Sequence, residues 1–352
     1  MRFAELLTWV PRIDQELSRS YLAEGRRSPA FRPYTALLEE FSMRGGKRLR
    51  ALLVLAGFHL VDGAAPAPAV PAAAAMEHFQ SWMLVHDDII DHAELRRGAP
   101  AVHRLLEREH VRLRRSGDRT DYGVAMGITL GDLEEPYTVR ALLGASVPME
   151  RREAALSEYV RMTSDTAYGQ LLDIRLSGLP VGRVSEAQVL RVHRLKTSVY
   201  TVASPLRIGA MLGGASPELL SLLERVGTDL GMAFQLRDDV LGAGLGMVPT
   251  EKSANDLKEG KRTLLVVRAW RRSTRSGREE LERELERAAR DPKAVRSLQE
   301  RIRSTGSLEH SERAIARLTR RAQTSWQESD ALDGNGRRLL GEIAERLVQR
   351  SR

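Results

Sequence analysis

Asp87-Asp88-Ile89-Ile90-Asp91 closes a segment, residues 70–91, that otherwise reads as an apolar helix. A helix turns by about 100° per residue, so Asp87 and Asp91 share one face a single turn apart. A second cluster, Phe234-Gln235-Leu236-Arg237-Asp238-Asp239, lies in another apolar helix far along the chain. Carboxylates that close repel one another, and desolvating them on an apolar helix makes matters worse. A divalent cation offsets both effects. Oxygen donors without Cys or His in either motif suit Mg2+, which takes one or two carboxylates and leaves positions for substrate phosphate. The clusters point to a magnesium-diphosphate site carried on helices.

The basic residues sharpen this reading. Of 55 Lys+Arg, only six are Lys: Lys47, Lys196, Lys252, Lys258, Lys261 and Lys293. Where any cation suffices, this chain uses Arg. The exceptions cluster in Gly45-Gly46-Lys47-Arg48, in Leu195-Lys196-Thr197 and between Glu251 and Lys261. A compact ammonium is a point-charge phosphate ligand, whereas Arg is a broad planar fork. Lys kept against such a bias marks positions where Arg does not fit.

At 352 residues and 42% hydrophobic content the chain can hold a large core. It has no Cys, which excludes disulfides and thiolate metal sites and fits a reducing interior. Met1-Arg2-Phe3-Ala4-Glu5 does not read as a signal peptide, and no apolar run reaches the roughly 18 residues of a membrane span. The expectation is a cytoplasmic protein with no membrane insertion. A net charge of +8 invites a nucleic-acid reading. Against it, Arg is mixed with Glu, as in Arg278-Glu279-Glu280-Leu281-Glu282-Arg283, the pattern of a solvated helix face. No nucleic-acid partner is expected; an anionic substrate explains the charge.

Helical periodicity runs through nearly every long segment. Residues 3–25, 34–61, 70–91, 149–176, 276–289, 293–304, 308–329 and 335–351 read as helices, with a polar Arg-rich excursion over 98–122. Ser185 with Gln188 forms a capping box ahead of the Lys196 helix, which Ser204-Pro205 breaks or kinks. Ser216-Pro217 opens a helix running to Asp238-Asp239. One all-α domain over residues 1–352 is the economical reading.

In order along the chain stand Gly45-Gly46-Lys47-Arg48-Leu49-Arg50, Asp87 to Asp91, Leu95-Arg96-Arg97-Gly98-Ala99-Pro100, Leu130-Gly131-Asp132, Gly169-Gln170, Lys196-Thr197, Phe234 to Asp239, and Asp256-Leu257-Lys258-Glu259-Gly260-Lys261-Arg262-Thr263. Each alone is weak; eight in this order resemble the trans-isoprenyl diphosphate synthases, the polyprenyl synthetase family, of the short-chain, geranylgeranyl or farnesyl diphosphate synthase kind. The resemblance implies a bundle of antiparallel helices around a central cavity, a homodimer, and Mg2+ as cofactor, three ions with substrate bound. It implies head-to-tail condensation of isopentenyl diphosphate with an allylic diphosphate. Carried over, Asp87, Asp91 and Asp238 would hold the metal, with Asp239 in support. Arg96, Lys196, Thr197, Gln235, Lys252 and Lys261 would contact the allylic diphosphate, Lys196 within the catalytic set. Lys47, Arg50 and Arg97 would form the isopentenyl diphosphate pocket. Asp88 is either a ligand or a hydrogen-bonding group, and Asp132, Gln170 and Asp173 are either site or core polar residues.

Several positions depart from the family pattern. Gln80 stands where many members have His, and its amide would donate to diphosphate. Gly242 replaces the last Asp of the second motif, the loop from Lys252 to Asp256 is one residue short, and Leu133-Glu134-Glu135-Pro136 replaces an apolar continuation. His86, beside Asp87, reads as structural. Trp82 and Met83, five and four residues before Asp87, would floor the cavity that receives the growing chain, or else pack in the core. A floor there implies C15 to C20 products, and the first motif, without a two-residue insertion, tilts this to geranylgeranyl diphosphate (C20). The rivals are a terpene cyclase or head-to-head condensing enzyme, neither of which needs the Gly-Lys-Arg socket, and a non-catalytic partner subunit, which would have lost motif acids.

Overall fold

The computed structural model describes residues 1–246 and 254–348, and among them the chain is helical almost throughout, as its periodicity predicts. Two compact units emerge: Met1–Ser157 with Pro205–Ala215, and Glu158–Ser204 with Ser216–Arg352.

In the first unit the Val70–Ile90 helix is the spine. Its Ala72–Phe79 stretch is buried on every side, and it packs along the Arg119–Leu143 helix. A helix apolar all round belongs in a core, and the Leu49–Asp62 helix, buried from Ala51 to Ala56, behaves likewise. Gly57 and Gly209 let that helix cross the Pro205–Gly213 segment backbone to backbone. A Cβ on Gly57 would stand 2.0 Å from the Leu206 carbonyl, and one on Gly209 1.9 Å from the Val54 carbonyl.

One expected helix, 34–61, is two: Arg32–Met43 and Leu49–Asp62. The break is backbone chemistry. Gly45, Gly46 and Arg48 all have positive φ, at 53°, 156° and 48°, which no right-handed helix accommodates. Among the described residues the only strands are Leu95–Arg96 and Ala99–Pro100, paired antiparallel about Arg97-Gly98. Both turn residues have positive φ, the conformation a tight two-residue hairpin requires.

Glu134, odd in sequence, is fully buried with its charge accounted for. The Tyr21 hydroxyl donates to Oε1 at 2.8 Å and His78 Nδ1 lies 2.7 Å from Oε2. Tyr21 also meets Ser42, which meets Ser81. Burial raises the Glu134 pKa, against the pull of His78 and Tyr21. A satisfied polar network accounts for the buried carboxylate; leaving it unpaired would cost on the order of 3–5 kcal/mol.

The second unit is built around the Pro217–Gly242 helix, flanked by a His193–Ala203 segment wound as a π-helix and by the Ser307–Gln327 helix. Gly227 and Gly231, one turn apart, admit the π-segment: Cβ atoms there would lie 2.5 Å from Ala203 Cα and from Ser198 Oγ. The predicted capping box holds, with Gln188 N donating to Ser185 Oγ and Ser185 N to Gln188 Oε1. Ser216 caps the Pro217–Gly242 helix through Leu219 N, each such cap contributing about 1 kcal/mol.

Candidate functional site

The first acidic cluster lies at the C-terminal end of the Val70–Ile90 helix. Asp87 is half-buried, Asp91 exposed at the cap and Asp88 fully buried. A helix C-terminus carries partial negative charge, so carboxylates there are disfavoured by roughly 0.3–1 kcal/mol each before they repel one another. The Pro217–Gly242 helix repeats the pattern with Asp238 and Asp239 in its last turn and a half. Acids placed twice against the helix dipole are positioned for a cation.

Asp88 is a hydrogen-bonding group through one of its two oxygens. Arg96 Nε donates to Asp88 Oδ1 at 2.8 Å and Nη2 to the same oxygen. Burial raises the Asp88 pKa, Arg96 opposes this and Asp87 adds to it, and Oδ2 has no hydrogen-bond partner. Asp88 thus fixes the Arg96 fork. Burial works to lower the Arg96 pKa, but Asp88, Asp87 and Asp91 together hold it up.

Basic groups converge in the same unit. Arg48 is buried, bonded to Asp14 at 2.8 Å, Glu77 at 3.0 Å and the Ser42 carbonyl at 2.9 Å. Arg97 donates to the carbonyls of Arg44 and Gly45, tying the hairpin to the glycine turn. Its pKa is lowered, first by burial and then, against Glu77, by Arg48, Arg96 and Arg50. Arg97 is thus a cation set among three other guanidiniums. Lys47 is exposed beside them, and Arg50 and Gln80 are half-buried.

The second unit holds a pocket of about 110 Å³ lined by Lys196, Thr197, Gln235, Asp239, Asp256 and Lys261 among others. Gly169 positions Lys196: a Cβ there would lie 2.4 Å from Lys196 N, so the Met149–Ser177 helix presses on the π-segment backbone. π-Turns recur at functional sites. Lys196 Nζ donates to Asp173 Oδ2 at 2.7 Å, and Gln235 Nε2 to Asp239 Oδ1 at 2.8 Å. Asp239 is 3% exposed, its pKa raised well above the usual range by burial, then by Asp256. Asp239 Oδ2 has no hydrogen-bond partner, and His193 Nε2 lies 3.3 Å from it. His193 is itself pushed down to about 4 by burial. Asp256 is raised, by burial first, with Lys261 opposing.

The structure gathers Lys196, Thr197, Gln235 and Lys261 into this pocket; Asp238 is half-buried and outside its lining. Lys252 lies outside the described residues. Asp173 pairs with Lys196, while Asp132 is exposed, 3.6 Å from His86. His86 is structural, as expected: its ring fills the space beside Gly131 and meets the Ile128 carbonyl at 3.1 Å. Trp82 lies between Phe79 and His86, edge-on to both, and Trp82 and Met83 are half-buried. Sequence reasoning gave no role to His193 or Asp256. His193 carries no motif, and Asp256 was legible only as one letter of a longer run.

The donor set fits Mg2+. Among the described residues no three His, Cys, Asp or Glu side chains close around a point. A sparse all-oxygen site suits an ion that dehydrates reluctantly and binds through one or two carboxylates, water and substrate phosphate. The buried Oδ2 atoms of Asp88 and Asp239 have no hydrogen-bond partner, so each keeps acceptor capacity of the kind a hard cation takes.

The sequence model of the family described as Polyprenyl synthetase matches residues 32–302. The geranylfarnesyl diphosphate synthase of Aeropyrum pernix is 30% identical over 317 residues, 87% of this chain and 91% of that protein. The short chain isoprenyl diphosphate synthase of Methanothermobacter thermautotrophicus is 31% identical over 325 residues, 89% of each. The crystal structure of a geranylgeranyl pyrophosphate synthase from Corynebacterium glutamicum, complexed with isoprenyl diphosphate and magnesium, matches with a TM-score of 0.88 at 31% identity. That match covers 98% of this chain and 99% of the other. In motif order, in sequence identity along most of its length and in fold, this chain belongs to the polyprenyl synthetase family.

Proposed function

We propose that the chain joins isopentenyl diphosphate head to tail to allylic diphosphates, with geranylgeranyl diphosphate (C20) as its main product. The carrying observation is that acids set against helix dipoles accompany a cluster of guanidiniums around Arg97. One chemistry needs both. An allylic diphosphate must be ionised, and a second diphosphate must be held without being ionised.

Asp87, Asp91 and Asp238 would be the magnesium ligands. When bound, magnesium neutralises the departing diphosphate and favours its heterolysis. Lys196, steadied by Asp173, and Lys261 hold the allylic diphosphate, with Thr197 and Gln235 lining the same pocket. Arg96, locked by Asp88, presents its remaining N–H groups to the same anion. Lys47, Arg50 and Arg97 hold isopentenyl diphosphate, whose double bond attacks the allylic cation. The released diphosphate takes the proton, so no protein nucleophile is needed. Apolar walls including Trp82 and Met83 exclude water from the cation. The chain acts as a single catalytic domain, and the enzyme is a homodimer.

Incubation of purified protein with Mg2+, isopentenyl diphosphate and each of the C5, C10 and C15 primers tests the reading. Elongation to C20 without any second subunit is expected. No elongation from any primer, or a cyclic hydrocarbon product, would overturn it.

A further inference from the structure

Ser42 stands in the last turn of the Arg32–Met43 helix, three residues before Gly45. A serine on a helix commonly turns its hydroxyl back onto the carbonyl one turn behind, as Ser20 does to the Leu17 carbonyl at 2.8 Å. Ser42 gives its proton elsewhere. The Tyr21 hydroxyl donates to Glu134, so its oxygen accepts from Ser42 at 2.7 Å, and Ser42 in turn accepts from Ser81 at 2.6 Å. Each hydroxyl has one proton to give, so the chain runs one way, from Ser81 through Ser42 and Tyr21 to Glu134. All four groups are buried. The direction beyond Glu134 is fixed as well. Ser20 has given its proton to Leu17, so His78 Nε2 donates to Ser20 at 2.7 Å, and Nδ1 shares a proton with Glu134 Oε2 at 2.7 Å.

At its other end this chain grips backbone. The Ser42 carbonyl accepts from Arg48 Nη1 at 2.9 Å, and buried Arg48 is held in turn by Asp14 and Glu77. Ser42 and Arg48 thus bracket the turn of Gly45, Gly46 and Lys47, with positive φ at residues 45, 46 and 48. For Arg48, at 48°, that conformation is strained, and such strain persists where the surroundings over-determine it. We propose that Tyr21 and Glu134 are positioning residues for isopentenyl diphosphate binding, fixing through Ser42 where the turn presents Lys47. This deepens the prenyltransferase reading and rests on it. The simpler alternative is that the network only neutralises the buried His78–Glu134 pair. The Ser42 proton disfavours that. Tyr21 already satisfies Glu134 Oε1, and nothing in the pair requires the tyrosine to accept as well. The extra link ties the pair to the turn.

The test separates the two substrates. Tyr21→Phe keeps the ring and removes the link. Its KM for isopentenyl diphosphate should rise about tenfold, as expected when a binding group is misplaced. Its kcat and its KM for the allylic diphosphate should stay within about twofold of wild type. Calorimetric titration of the full-length protein with isopentenyl diphosphate should show the same weakening. Ser42→Ala should match Tyr21→Phe, and the double variant should be no worse than either single one, since both cut one link. Glu134→Gln is the conservative variant: its amide oxygen accepts from Tyr21 and its nitrogen donates to neutral His78. There the affinity should stay within about threefold of wild type. Glu134→Leu removes both bonds and should weaken isopentenyl diphosphate as Tyr21→Phe does. A purely structural network would instead lower melting temperature and kcat together and leave both KM values unchanged. That outcome, equal rises in both KM values, or additive losses in the double variant would overturn the proposal. If Glu134→Leu fails to fold, Tyr21→Phe and Ser42→Ala still decide it. A wild type that neither binds isopentenyl diphosphate nor elongates any primer would instead sink the functional reading.

Discussion

Trp82 shows how one side chain decides what an all-purpose chemistry makes. It lies five residues before Asp87 on the same helix, flanked edge-on by Phe79 and His86 with ring centroids 5.8 and 6.3 Å away. Its indole nitrogen is buried without a hydrogen-bond partner, so the ring is held by packing alone. If it floors the growing chain, Trp82→Ala should lengthen the product by at least one C5 unit, seen by chromatography of dephosphorylated products from labelled isopentenyl diphosphate. An unchanged product distribution would assign the ring to packing. His193 poses a different question, of pH. The native imidazole titrates at about 4 and an unfolded one at about 6.5. Between those values the unfolded chain binds the extra proton, so stability is full above pH 6.5 and is lost as pH falls towards 4. At about 1.4 kcal/mol per pH unit the loss is on the order of 3 kcal/mol. Asp239, raised by burial, works in the opposite sense above the ordinary carboxylate range, so the informative quantity is a difference. Urea midpoints of the metal-free protein at pH 7 and 4.5 should fall more steeply for wild type than for His193→Gln.

Glycines govern the contacts between elements, and they separate close approach from mere tolerance. Gly169→Ala would drive a Cβ to 2.4 Å from Lys196 N and 2.7 Å from its Cα, backbone atoms that cannot swing away. Overpacking of this kind costs about 1–3 kcal/mol, and because the displaced residue is Lys196 the rate should fall at least tenfold. Gly341, in the Gly334–Val348 helix, has nothing within 4 Å of the equivalent point. There Ala should stabilise by about 0.5–1 kcal/mol with activity unchanged. Equal effects at the two positions would remove the packing argument. Legibility divides along the same line. Caps at Ser185 and Ser216 were readable because they are local chemistry written in adjacent letters. The break at residues 44–48 was not, because helical periodicity continues on both sides and only the backbone angles of Gly45, Gly46 and Arg48 interrupt it. The π-winding of His193–Ala203 leaves no periodic mark, and its cause, the pressure of Gly169, Gly227 and Gly231 from two neighbouring helices, is tertiary. The acids and Lys residues of the site were legible as types. That Asp88 grips Arg96 and that the Asp256 carboxylate lies against Gly242 are facts of space.

For the whole molecule the open matter is what covers an apolar stripe on the Met149–Ser177 helix. Within the second unit Val160, Tyr168, Leu171 and Ile174 are exposed, Tyr168 and Leu171 by 64% and 63%. Their spacing places them, with exposed Ser164 and Ala167, within about a third of the helix circumference. A stripe of that kind on a chain with 29% charged residues is not a solvated face, since charge is abundant and none stands on it between residues 160 and 174. A second copy of the chain is the occupant proposed above, and a stable pairing needs roughly 1,200–2,000 Å² buried in total. A carboxylate at the centre of such a surface would be desolvated without a partner. Leu171→Asp combined with Val160→Asp should therefore raise the dimer dissociation constant at least a hundredfold, measured by sedimentation equilibrium at micromolar protein. Helical circular dichroism should stay unchanged, because both side chains are already exposed in the single chain. Glu286→Lys, an exposed charge reversal on the Arg275–Arg287 helix, should leave the mass at that of wild type. A wild type that sediments as a monomer, or a double variant that remains dimeric, would assign the stripe to some other partner.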